Sequence, residues 1–184
     1  MQPNKARADL WMDLALVAFL VGFDVAARLL PHAPGFMPVA ASALFAGRLL
    51  RIPALAVIVP LLAMALSSMA LAGDDWRITL VVFAALALPA LAGMLSRRYR
   101  GAGAIVATMV SCSLIFFVTT NFAVWLFSGL YPLDLRGLAQ CYVAALPFLE
   151  KTVMGDLFWT AVLFGGSAAI IGITSRMPLK YRQF

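Results

Sequence analysis

A chain of 184 residues that is 64% hydrophobic and only 12% charged, with a mean hydropathy of +0.96, lies far from the half-apolar, quarter-charged make-up of a soluble domain. An integral membrane protein is expected: one bundle fits the length, and no stretch has the make-up of a soluble catalytic or nucleic-acid-binding domain. The net charge of +6 reflects topology rather than an acidic partner, because the basic residues fall in short clusters between apolar runs.

A helix needs about 20 apolar residues to cross the ~30 Å hydrocarbon layer. The sequence offers six candidates in one transmembrane domain spanning residues 1–184: about 10–30, 37–50, 54–72, 78–95, 102–127 and 153–174. The first follows Lys5 and Arg7 as a signal peptide would, yet Asp9 and Asp13 interrupt the basic head, and Asp24 and Arg28 occupy the place of small cleavage-site residues. A retained first span is expected. The second segment is short, rising only about 21 Å as a helix, and reads as a re-entrant piece or a crossing. The third and fourth carry Pro60 and Pro89, and the fifth is long. Between the fifth and sixth, residues 138–147 suggest a short separate helix, either a lid over an outer mouth or an interfacial helix.

Charge favours six crossings. With the N-terminus inside, Lys5, Arg7, Arg48, Arg51, Arg97, Arg98, Arg100, Arg176, Lys180 and Arg182 are inside, against Arg28, Arg77, Arg136 and Lys151 outside. Both termini are then cytoplasmic, in an all-α six-helix bundle of the bacterial inner membrane.

Candidate functional residues cluster toward the outer side. Asn121 and Trp125 share a face with Ser113 and Phe117, and read either as pocket wall or as interhelical and interfacial residues. Tyr142, Phe148 and Cys141 follow in the loop region. Asp156 reads as a ligand contact or as an acid in the first turn of a helix capped by Thr152. Asp24 is either paired with Arg28 one turn on or free to meet a ligand or ion. Ala18, Gly22 and Ala26 form a small-residue stripe that serves packing within the bundle or docking of a partner helix; Ala161, Gly165 and Ala169 form another, assigned to internal packing. His32, the one histidine, and Cys141 suit an axial metal ligand carried in by a cofactor, or an ordinary solvated loop. Cys112 and Cys141 lack the number and spacing of a zinc site or disulfide framework. No Walker, GxSxG, HExxH or CxxC motif occurs, so no enzyme and no resident cofactor are expected.

The run Arg28 to His32, then Phe36, Pro38 and Val39, later Thr120 to Phe122, Trp125, Tyr131 and Pro132, Cys141, Tyr142, Ala144, Ala145, Pro147, Phe148, Gly155 and Asp156, resembles an uncharacterised family of small bacterial transport-type proteins. That family is in turn similar to the substrate-binding S components of energy-coupling-factor (ECF) vitamin transporters. The resemblance implies six membrane helices and an outward site for a vitamin-like micronutrient. It also implies docking through Ala18, Gly22 and Ala26 to a coupling subunit driven by ATPases, although Gly22 departs from the usual alanine pair. Within the vitamin class a cobalamin-like corrinoid is suggested by His32 and Cys141 alone. The rival reading is a membrane scaffold or assembly factor that transports nothing.

Overall fold

The computed structural model describes residues 3–31, 35–69, 75–99 and 101–176; His32 lies outside them. All regular structure among them is helical, in the order α1 (Pro3–Leu29), α2 (Val39–Leu49), α3 (Pro53–Ser68), α4 (Trp76–Leu95), α5 (Ala102–Phe127) and α6 (Leu135–Arg176), with a 3-10 turn at Ser96–Arg98. Four stretches are long and apolar enough to cross a membrane: Arg7–Leu29, Trp76–Arg98, Ala102–Phe127 and Leu135–Ile171. Large apolar side chains such as Phe19, Leu80, Val118 and Ile170 point outward, as they do where the surroundings are lipid. The chain is a helical membrane protein.

α2 and α3 are shorter, at 11 and 16 residues, and for α2 the reason is its position. Val39 and residues 41–47 are buried, and α2 touches each of the other five helices. A helix sheathed by protein need not match the lipid thickness, because its ends find partners in protein rather than in hydrocarbon. Around it, α1, α3, α4, α5 and α6 pack in that order, each on the next. The ring closes between α6 and α1 through aromatic side chains. Phe23 meets Trp159 edge-on at 5.4 Å, and Phe36, in the connection from α1 to α2, lies 5.2 Å from Phe158 and 6.1 Å from Trp159.

The tightest joint is α2 against α4. A Cβ on Gly47 would lie 2.1 Å from the Ala90 carbonyl oxygen, and one on Gly93 would lie 2.5 Å from that of Leu44. Two missing side chains thus let two backbones touch. At the end of this joint two arginines cap each other's helices. Arg48 donates to Ser96 O at 2.8 Å, Ser96 Oγ at 2.9 Å and Tyr99 O at 2.6 Å, while Arg97 donates to Gly47 O at 2.8 Å and also to Leu50 O. Guanidinium groups on the free carbonyls of helix C-termini satisfy those acceptors and oppose the helix dipole. The same end holds Arg51, bound to Asp9 at 2.5 Å and, through its main-chain N–H, to Asp13 at 3.2 Å. Arg48, Arg51, Arg97 and Arg98 therefore gather at one end of the bundle, beside the first turns of α1.

Charge-assisted hydrogen bonds contribute about 1.5–3 kcal/mol each when their partners are left without substitutes. Arg97→Ala is accordingly expected to lower the thermal midpoint in detergent by roughly 5 °C. Arg98→Ala, which removes only a guanidinium stacked 4.9 Å from the Tyr99 ring on an exposed surface, should change it little. Equal midpoints for the two variants would refute the capping role.

Four expectations need correction. Residues 138–147 are helical but not a separate lid, for α6 runs unbroken through 42 residues. Pro147 lacks an N–H and crowds the preceding turn, which bends a helix without ending it when no terminating residue follows. In consequence Thr152 is interior to α6 and caps nothing, and Asp156 is a buried mid-helix residue instead of a first-turn acid. The acidic residue at the helix start is Asp134, whose Oδ1 accepts from Gly137 N at 2.7 Å. Both small-residue stripes are exposed, so neither serves internal packing: the packed face of α1 is set by Val17, Leu20, Val21 and Asp24, and Ala18, Gly22 and Ala26 lie away from it. Finally, Asp24 and Arg28 form no ion pair, because Asp24 turns to α2 and Arg28 reaches toward α3.

Candidate functional site

All six helices contribute to one cavity of about 290 Å³. Its walls are largely apolar, with Val39 and Ala40 from α2, Met64 from α3, Leu86 and Pro89 from α4, and Phe116 from α5. The polar groups come from three helices: Arg28 at the end of α1, Ser113 on α5, and Thr152 and Asp156 one turn apart on α6. An apolar chamber with a few convergent polar groups is the usual form of a small-molecule site.

Among the described residues the hydrogen bonds of Arg28 go to neutral partners, with Asp24 one turn away on α1. Its Nε donates to Ser67 Oγ at 2.6 Å and its Nη1 to Met37 Sδ at 3.6 Å. Ser67 hands its own proton to the carbonyls of its helix, Ala63 O at 2.7 Å or Met64 O at 3.2 Å, and so presents lone pairs to the guanidinium. A cation whose hydrogen bonds go to neutral groups at the edge of a chamber can take an anionic group from a ligand.

Asp156 is the complement. Only 4% of it is exposed, and its Oδ2 accepts from Ser113 Oγ at 2.6 Å. That hydroxyl also lies 3.0 Å from Met109 O, so one proton serves two acceptors. An ionised Asp156 accepts the proton from Ser113. A protonated one donates to Ser113, which then turns to Met109. The pair can therefore meet either a donor or an acceptor on a ligand.

Asp24 lies outside this cavity, fully buried, with Oδ1 accepting from Ser42 Oγ at 2.8 Å and Oδ2 without a hydrogen-bond partner among the described residues. Trp159 Nε1 and Thr160 Oγ1 on α6 are likewise buried without hydrogen-bond partners among the described residues.

The residues expected to hold a ligand divide into three groups. Asp156 lines the central cavity. Asn121 and Phe148 line a second cavity of about 180 Å³ between α5 and α6. Trp125, Cys141 and Tyr142 line neither and instead clamp α5 to the chain that follows it: Trp125 Nε1 donates to Pro132 O at 2.9 Å, Cys141 Sγ to Asn121 O at 3.4 Å, and Tyr142 Oη to Val118 O at 2.7 Å. The Tyr142 ring also meets Phe117 edge-on at 5.6 Å. Asn121 Nδ2 is committed to Phe117 O at 2.8 Å. Ala18, Gly22 and Ala26, the residues expected to dock a partner, form an exposed strip on α1.

Sequence reasoning treated Arg28 as half of an ion pair and passed over Phe116 as a site residue. The signal available for Ser113 was its place on the face shared with Phe117 and Asn121, one turn at a time. For Phe116, an unremarkable aromatic in an apolar run, there was none. Among the described residues no group of three or more His, Cys, Asp or Glu side chains is placed to hold a metal.

Fold and site together define a polytopic helical membrane protein with a small-molecule-sized chamber among its helices. Residues 8–178 match the model of a family of unknown function, DUF6580, and the chain belongs to that family. Comparison with curated proteins finds no match, and comparison with solved structures finds none.

Proposed function

We propose that this protein is a membrane substrate-binding protein for the uptake of a vitamin-like micronutrient, of the S-component type. The observation that carries the reading is the central cavity, to which every helix contributes and into which Arg28 brings donors and the Asp156–Ser113 pair a group able to accept or donate. The ligand is compact. About 290 Å³ lies at the lower edge of the range for small-molecule sites, roughly 300–1,000 Å³. A corrinoid exceeds that volume, and Cys141 faces the α5 main chain rather than the chamber, so a corrinoid forms no part of the proposal. The exposed strip of Ala18, Gly22 and Ala26 supports a coupling subunit with ATPases as partner, since small side chains let a helix approach closely within lipid.

The test is mass spectrometry of small molecules released from the gently purified protein, with Arg28→Gln prepared in parallel. A stoichiometric micronutrient with an acidic group is expected from the wild type. Arg28→Gln should retain about a tenth of it or less, the loss of one charge-assisted hydrogen bond. A second reading, the scaffold, draws on the exposed strip of Ala161, Gly165 and Ala169 on α6. An empty protein that co-purifies with envelope-assembly proteins would favour it.

A further inference from the structure

The two cavities share Phe116 and Thr152 in their walls. The gap that holds the second one follows from the way α5 and α6 are joined. They touch at Asn121 with Cys141 and again at Ser113 with Asp156. Between these contacts α6 advances about 22 Å and α5 only about 12 Å at 1.5 Å per residue. The surplus lies in the stretch of α6 between Tyr142 and Asp156, which bows away from α5 and has Pro147 inside it. The outer cavity lies where the two helices part.

The charges beside its mouth argue for contact with water. Phe148 is 56% exposed, and Glu150 and Lys151, both exposed, follow it on the same turn; neighbouring charges of this kind do not settle in hydrocarbon. The interior offers the rings of Phe116, Phe117 and Phe148. Asn121, with its Nδ2 committed to Phe117 O, has Oδ1 left to accept. Aromatic faces beside one hydrogen-bond acceptor fit a flat ring bearing an N–H or O–H.

We infer that the α5–α6 gap is the ligand's entrance: the outer cavity is a vestibule that receives a water-soluble, ring-bearing molecule, and the Phe116 side chain is the gate between it and the central chamber. This rests on the reading of the chamber as a small-molecule site, but its test needs no ligand.

The chain supplies the probe. Cys112 lines the central chamber, and the other cysteine, Cys141, is removed by Cys141→Ser. In that background the rate at which methyl methanethiosulfonate modifies Cys112 reads access to the chamber, followed by intact-protein mass spectrometry. Phe116→Ala is expected to raise the rate about tenfold and Asn121→Trp, which fills the vestibule, to lower it about tenfold. Leu80→Trp, on the exposed face of α4 and in the wall of neither cavity, should leave the rate unchanged. Phe116→Leu and Asn121→Phe repeat the comparison with smaller changes if either larger one disturbs folding, which size-exclusion chromatography reports. A rate indifferent to positions 116 and 121, or slowed as much by Leu80→Trp as by Asn121→Trp, overturns the proposal. An empty wild-type protein whose labelling follows the gate would refute uptake and retain the route; a ligand-loaded protein indifferent to the gate would do the reverse.

Discussion

Replacing Gly47 by alanine is expected to lower the thermal midpoint by on the order of 10 °C, corresponding to about 3 kcal/mol, although the change adds one carbon atom. The obstacle is a backbone. The new Cβ would lie 2.1 Å from Ala90 O, and a carbonyl in the middle of α4 cannot rotate aside as a side chain does. α2 and α4 would have to separate by more than an ångström. α2 is the helix that touches all the others, so the whole bundle loosens with it. Gly93→Ala should behave alike, because its Cβ would meet Leu44 O at 2.5 Å. The controls are Gly22→Ala and Gly165→Ala, where a Cβ meets nothing within 4 Å. Alanine is favoured over glycine in a helix by roughly 1 kcal/mol, so these variants should match or exceed the wild type. Scanning fluorimetry in detergent decides the matter. If Gly47→Ala is neutral while Gly22→Ala is destabilising, the packing described for α2 is wrong.

The contrast between these glycines shows what the sequence makes legible. Hydropathy locates the membrane helices because lipid acts on every residue of a span, and a run such as 102–127 records that pressure along its length. α5 begins and ends at those residues. Small-residue spacing says only that a close approach is allowed. Ala18, Gly22 and Ala26 have the spacing and face outward, while Gly47 and Gly93 carry the actual contact on two different helices. A one-helix pattern cannot show which neighbour arrives.

The same limit governs the polar residues. At i, i+4 Asp24 and Arg28 are neighbours, which made a pair the natural expectation. Their partners came from α2 and α3 in the form of Ser42 and Ser67, residues with no special mark in the sequence. Asp156 was legible as a candidate ligand contact, with a first-turn helix acid as the alternative. Its serine lies 43 positions away, and only the antiparallel pairing of α5 and α6 brings it near. The polar and aromatic residues around Asn121 stood out because they are concentrated there. The structure divides them between a clamp, formed by Trp125, Cys141 and Tyr142, and the wall of a cavity, formed by Asn121 and Phe148. Composition cannot make that division, because a hydrogen bond to a backbone carbonyl and one to a ligand call for the same side chains.

Asp156→Leu should separate stability from function in the opposite sense to Gly47→Ala. Burying a carboxyl among membrane helices carries a desolvation penalty, and replacing such a group by an apolar one is often neutral or stabilising by about 1–4 kcal/mol. Here the substitution leaves no orphan behind. The Ser113 hydroxyl already lies 3.0 Å from Met109 O and donates there once Asp156 is gone, and the larger leucine side chain has the adjoining cavity to occupy. The midpoint should therefore hold or rise by a few degrees. Ligand occupancy should fall at least tenfold, since a hydrogen bond to a charged group contributes roughly 1.5–3 kcal/mol. Asp156→Asn keeps an acceptor for Ser113 and should fall between the two, retaining stability with partial occupancy. Both quantities come from one preparation, the midpoint by fluorimetry and the occupancy by mass spectrometry of the released small molecule. A large loss of stability in Asp156→Leu would make the carboxyl a structural element and deprive the chamber of its acidic ligand contact. Unchanged stability with unchanged occupancy would move the binding site elsewhere in the bundle. A stable protein that has lost its ligand is the outcome expected of a residue retained for binding at the expense of the fold.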